Sequence, residues 1–154
     1  MAVPYYKRSV SRKEYEYHFR KSVMKPAIDL LNRNFAIKDE DVAPLVWLIQ
    51  IKRREIMKSL SVIATYISRA KFYPEDEEQQ KVKMTYQDRA KQETFALYDN
   101  LQLCSEIFPV KKKNSYTLLG KAIKEEVQYL KYWRKYTKKD ECTSKSNNNE
   151  EEEV

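Results

Sequence analysis

Few side chains in this sequence are equipped for chemistry. His18 is the single histidine, set between Tyr17 and Phe19. One imidazole excludes a two-histidine metal site, and a lone histidine in aromatic company more often packs or faces solvent than catalyses. Cys104 and Cys142 belong to no Cys-x-x-Cys pair, so neither a zinc site nor a disulfide framework is expected. Gly120 is the only glycine, which leaves no phosphate-cradling loop and no dinucleotide-binding turn. Carboxylates occur side by side, at Glu125-Glu126 and Asp39-Glu40-Asp41. Neighbours on a helix diverge by about 100°, so these read as caps and solvated faces. Inward Glu and Glu-x-x-His pairs, the ligands of dimetal bundles, are absent. The chain reads as a non-enzyme with no cofactor.

Basic residues are the remaining functional signal. The formal charge is +7, and it is unevenly placed: residues 1–139 hold 29 basic and 17 acidic side chains, a net of +12. Such a chain repels itself and suits a polyanionic partner. Candidate phosphate contacts are Lys52, Arg53, Arg54 and Lys58 in one cluster, Lys111, Lys112 and Lys113 in a second, and Lys131, Arg134 and Lys135 in a third. Arg69 and Lys71 have a blander role, favouring a helix C-terminus. Residues 111–139 interleave ten Lys or Arg with Tyr129, Tyr132, Trp133 and Tyr136, a mixture suited to phosphate contact with occasional base stacking. Lys7, Arg8, Arg12, Lys13, Arg20, Lys21 and Lys25 add a basic N-terminal arm. No base-reading motif is visible, so any grip on RNA or DNA would be through backbone and shape. No apolar run approaches the roughly 18 residues of a membrane span, and the start lacks a signal-peptide core. A cytoplasmic protein without a membrane partner is expected.

These residues need elements to carry them. One glycine and five prolines supply too little turn chemistry for many short strands, so long helices follow. A first helix is predicted over residues 12–35, with Tyr15, Phe19, Val23, Ala27, Leu30 or Leu31 and Asn34 on one stripe, and Pro26 imposes a kink near Lys25 or divides it into two shorter pieces. Asp39, Glu40 and Asp41 begin a second, with Pro44 in its first turn and Leu45, Ile49, Ile56, Leu60, Ile63, Ile67 and Ala70 inward. Residues 75–80 are loop or first turn, ahead of a third helix carrying Tyr86, Ala90, Leu97, Leu101, Cys104 and Phe108 and stopped by Pro109. Asn114 or Ser115 caps a fourth with Tyr116, Leu119, Ile123, Val127, Leu130 and Trp133 inward. The expected architecture is all-α: a flexible basic leader over 1–10, an antiparallel four-helix bundle over 11–138, and a disordered polar, acidic tail over 139–154.

Residues 116–133, YTLLGKAIKEEVQYLKYW, resemble the C-terminal helix of the accessory variability determinant (Avd) family, found beside reverse transcriptases in diversity-generating retroelements. The likeness rests on Tyr116 seven residues before Ile123, then Glu125, Leu130 and Trp133, with basic residues directly after. Leu97, Leu101, Leu103 and Ile107 resemble that family's third helix. Together they cover about a third of the chain. Lys131 and Tyr132 stand where the family usually has glycines. The related four-helix proteins encoded in ribosomal RNA intervening sequences share the fold. The resemblance implies a homo-oligomer, commonly a pentameric ring, that binds a reverse transcriptase and its template RNA through a basic surface. The alternative is a scaffold bundle for an acidic protein partner, without nucleic-acid binding.

Overall fold

The computed structural model describes residues 12–73 and 77–146; the expected leader over 1–10 and residues 147–154 of the expected tail lie outside them. The chain is all-α. In order come α1 (Arg12–Phe19), a π-helical segment (Arg20–Met24), α2 (Lys25–Asn32), α3 (Asp39–Val42), α4 (Val46–Phe72), α5 (Glu77–Ile107) and α6 (Asn114–Ser146). Among the described residues there is no strand, and one isolated bridge joins Ile37 to Val110.

The interruption expected at Pro26, a kink or two shorter pieces, takes the form of a π-helical turn between α1 and α2. Pro26 has no N–H to give the Ser22 carbonyl, and its ring would crowd that oxygen in an α-helix. The preceding turn opens to the π form, and the Lys25 N–H reaches back five residues to the Arg20 carbonyl. The wider turn also serves packing. Tyr15, Phe19, Val23, Ala27 and Leu31 repeat every four residues and are all buried. On a uniform α-helix that spacing drifts by about 40° per step, and the π turn brings the stripe back into line.

The helix ends at Asn32, short of the predicted Phe35. Asn34, Phe35 and Ala36 all have positive φ, at 50°, 58° and 56°. Such conformations cost non-glycine residues about 1–2 kcal/mol each, so tertiary contacts must hold them. Phe35 is fully buried, with its ring 5.1 Å from that of Phe108. Tyr116 Oη donates to the Phe35 carbonyl at 2.9 Å. The Lys111 N–H donates to the Ala36 carbonyl at 2.7 Å, and the Lys38 N–H to that of Pro109 at 3.0 Å. The α2–α3 turn is thus laced to the α5–α6 turn.

Pro44 divides what periodicity makes one helix. The acidic residues Asp39, Glu40 and Asp41 form the first turn of α3, as expected, but a 3₁₀ turn over Ala43–Leu45 separates it from α4. Beyond it, the predicted stripes face inward. Ile49, Ile56, Leu60, Ile63, Ile67 and Ala70 of α4, Ala90, Leu97, Leu101 and Cys104 of α5, and Leu119, Ile123, Leu130 and Trp133 of α6 share one core with the first helix. In α5 that stripe is extended by buried Gln80, Lys83, Gln87 and Thr94. Residue pairing fixes the neighbours. Lys52 meets Asn100, Ser59 meets Glu93 and Tyr66 meets Tyr86 between α4 and α5. Gln87 meets Thr137 and Tyr98 meets Lys124 between α5 and α6. In both pairs one number climbs as the other falls. Glu16 of α1 bonds Lys71 of α4, and Tyr15 stacks on Trp133 of α6 at 4.2 Å. Helix α6 continues to Ser146, past residue 138, where the sequence-based boundary ends the domain.

Candidate nucleic-acid interface

The ten candidate cations divide into anchored and exposed groups. In the α4 cluster, the Lys52 side chain is only 13% exposed. Its Nζ donates to Glu55 Oε2 at 3.0 Å and to Asn100 Oδ1 at 3.2 Å. That bond is the largest of the influences holding the Glu55 carboxyl below its usual range. Arg53 is half-buried and turns the other way, donating to the Leu31 carbonyl at 3.0 Å and to Asn34 Oδ1 at 2.8 Å. It caps the C-terminal carbonyls of α2 and braces the left-handed turn. Arg54 and Lys58 are exposed. Consecutive helical residues fan about 100° apart, which sends 52, 53 and 54 to α5, α2 and solvent respectively.

Lys111, Lys112 and Lys113 are exposed at the α5–α6 turn, with Lys111 paired to Asp39 Oδ1 at 2.7 Å. That pair is solvated and adds little stability. In the third cluster Lys131 and Lys135 are exposed, whereas Arg134 is half-buried and donates to Asp88 Oδ1 at 3.2 Å. Lys113, just ahead of α6, and Lys131 lie eighteen positions apart, about 27 Å along the helix axis. The turn lysines and the α6 pair therefore stand at the two ends of that span. Of the interleaved aromatics, Tyr129 and Trp133 are buried, Tyr132 is half-buried and Tyr136 is exposed.

One residue read as a surface feature belongs to the interior. Glu126, expected on a solvated face, is fully buried and shares a hydrogen bond with His18 Nδ1. The His18 ring stacks on Tyr129 at 4.2 Å. Burial pushes the Glu126 carboxyl up from its ordinary range, against the opposing pull of His18. An imidazole–carboxylate pair can relay protons, but a carboxyl with no exposed surface offers no substrate access. Burial likewise pushes the Cys104 thiol up to about 11, which leaves it unreactive at neutral pH.

A feature missed in the sequence is the groove where α5 meets α6. Phe95 and Tyr98 of α5 face Lys121, Lys124 and Lys131 of α6 across a cleft of about 710 Å³. Its signal was present: Phe95 and Tyr98 are aromatics lying off the inward stripe of their own helix. Among the described residues no group of His, Cys, Asp or Glu could hold a metal ion, and no helix is long and apolar enough to cross a membrane. No family model matches this chain, and neither does any curated protein or solved structure.

Proposed function

We propose that this protein is a non-catalytic, nucleic-acid-binding accessory factor. In this reading it is a cytoplasmic antiparallel four-helix bundle that forms a homo-oligomer, with a pentamer as the expected assembly. Its partners are a reverse transcriptase and that enzyme's template RNA, in the manner of the Avd family that residues 116–133 resemble. The observation that carries the nucleic-acid part is the set of exposed cations: Arg54 with Lys58 and Lys131 with Lys135 at helical spacing, and Lys112 and Lys113 side by side at the α5–α6 turn. The falling-against-rising pairing of α4 with α5 and of α5 with α6 supports the bundle.

Six phosphate contacts give a logarithmic salt slope of about −4 on single strands. RNA affinity followed by fluorescence anisotropy should therefore fall by two to three orders of magnitude, roughly, between about 50 and 200 mM salt. Arg54→Glu combined with Lys58→Glu should weaken binding while light scattering shows the same oligomer. A salt-insensitive affinity would overturn the mechanism. A second reading, a scaffold for an acidic protein partner, draws on Trp47, which is 62% exposed, and on exposed Val46 and Ile51 beside it. It takes precedence if the unmodified protein binds no nucleic acid at low salt.

A further inference from the structure

The α5–α6 groove combines features that the phosphate footholds lack. Phe95 is 44% exposed although the core of its helix does not need it, and Tyr98, one turn on, is half-buried. Ile123 and Val127 form the apolar floor. The rim lysines lie over the rings: Lys124 Nζ is 5.2 Å from the Tyr98 centroid, and Lys131 Nζ is 5.9 Å from that of Phe95. Lys121, Lys124 and Lys131 follow steps of three and seven, which keeps them on one side of α6 over about 15 Å. A second cleft of about 470 Å³ shares Tyr98, Lys121 and Lys124 and continues to Lys113. The two clefts form one path along the helix pair.

We infer that this path is a stacking channel for the unpaired nucleotides of a single strand, with bases laid against Phe95 and Tyr98 and phosphates met by Lys121, Lys124 and Lys131. It rests on the nucleic-acid reading above and gives it a location. Exposed cation–ring contacts are weak and readily exchanged. A base entering the groove takes the ring face, and the displaced ammonium swings to the adjoining phosphate, so stacking and charge neutralisation occur together. Asp99 and Glu125 also line the groove, which leaves its own charge near +1. Electrostatics alone would hold a polyphosphate there poorly, and the aromatic faces supply what charge does not. Every base has such a face, so the site tolerates any sequence. A duplex keeps its bases stacked on one another and gains only the lysines.

The test uses the full chain at low salt, with a labelled oligouridylate and an abasic sugar–phosphate strand of equal length. Phe95→Ala and Tyr98→Ala should each weaken oligouridylate binding by about 5- to 100-fold and leave the abasic strand unaffected. Phe95→Trp should keep affinity, and Lys121→Ala with Lys124→Ala should weaken both strands. Thermal melting confirms that each variant is folded. If the wild type binds oligouridylate with steep salt dependence and both alanine variants match it, the channel is overturned and nucleic-acid binding stands. Equal losses on the abasic strand also overturn it, because the aromatics would then not act through bases. If the wild type binds neither strand, the channel and the function on which it rests fall together.

Discussion

Replacing Glu126 with glutamine should stabilise the protein at neutral pH. The Glu126 side chain has no exposed surface, and its Oε1 lacks a hydrogen-bond partner among the described residues. Its Oε2 is matched with His18, and burial raises the carboxyl above its ordinary 4.5 more strongly than His18 lowers it. A raised folded-state value means the associated stability is fully present below pH 4.5 and is lost as pH climbs through the folded value. One proton sets the greatest slope, about 1.4 kcal/mol per pH unit. Glutamine fills nearly the same volume, still bonds His18 and carries no charge. Glu126→Gln removes the charge that burial penalises and should gain about 1–3 kcal/mol at neutral pH, or roughly 2–10 °C in Tm. The gain should vanish below pH 4.5. Urea unfolding followed by circular dichroism, at acid and neutral pH, gives both numbers. A variant less stable than wild type at neutral pH would refute the reasoning, since the His18 partnership would then outweigh desolvation.

Two further perturbations test the anchors. Arg53→Met should cost about 1–3 kcal/mol, because a half-buried guanidinium bonds the Leu31 carbonyl and Asn34. Hydrogen exchange should accelerate over Asn34–Ala36, whereas Arg54→Met stays within about 0.5 kcal/mol of wild type; equal effects of the two would show that the turn stands without Arg53. Gly120→Ala places a Cβ at 3.4 Å from Tyr98 Cε2, ordinary contact, so the better helix propensity should prevail and raise stability by up to about 1 kcal/mol. A loss in thermal melting would mean that the Tyr98 ring cannot yield.

The core was legible because burial in a helix leaves a periodic trace. Phe19, Ile56, Leu97 and Ile123 and the residues in step with them are placed inward by spacing alone. The π turn left a trace as well, in the strict four-residue repeat from Tyr15 to Leu31, but period alone does not say which turn absorbs the drift. The left-handed residues 34–36 left none: without glycine, tertiary contacts such as the bonds from Tyr116, Arg53 and Lys111 and the packing of Phe35 on Phe108 hold that conformation. Gln80, Lys83 and Gln87 hid the start of the α5 stripe, since polar residues break an apolar pattern even when they are buried. Glu126 was misread for the same reason. Its partner His18 lies 108 positions away, beyond any local rule.

The same geometry decides which basic residues can grip a polyanion. A run of adjacent cations on a helix spreads its members around the axis, and each then meets whatever stands on its side. Lys52, Arg53 and Arg54 show this: the Glu55 carboxylate of the same helix and the Asn100 amide of α5 take the first, carbonyl and amide oxygens of the α2 turn take the second, and only the third is left to solvent. Cations spaced by three or four share a face and act on one strand. Arg54 with Lys58, Lys121 with Lys124, and Lys131 with Lys135 meet that condition. Reversing charge across all of 52–54 would therefore confound loss of grip with loss of the α2 brace. Arg54 and Lys58 alone separate them, because neither bonds the turn that Arg53 holds.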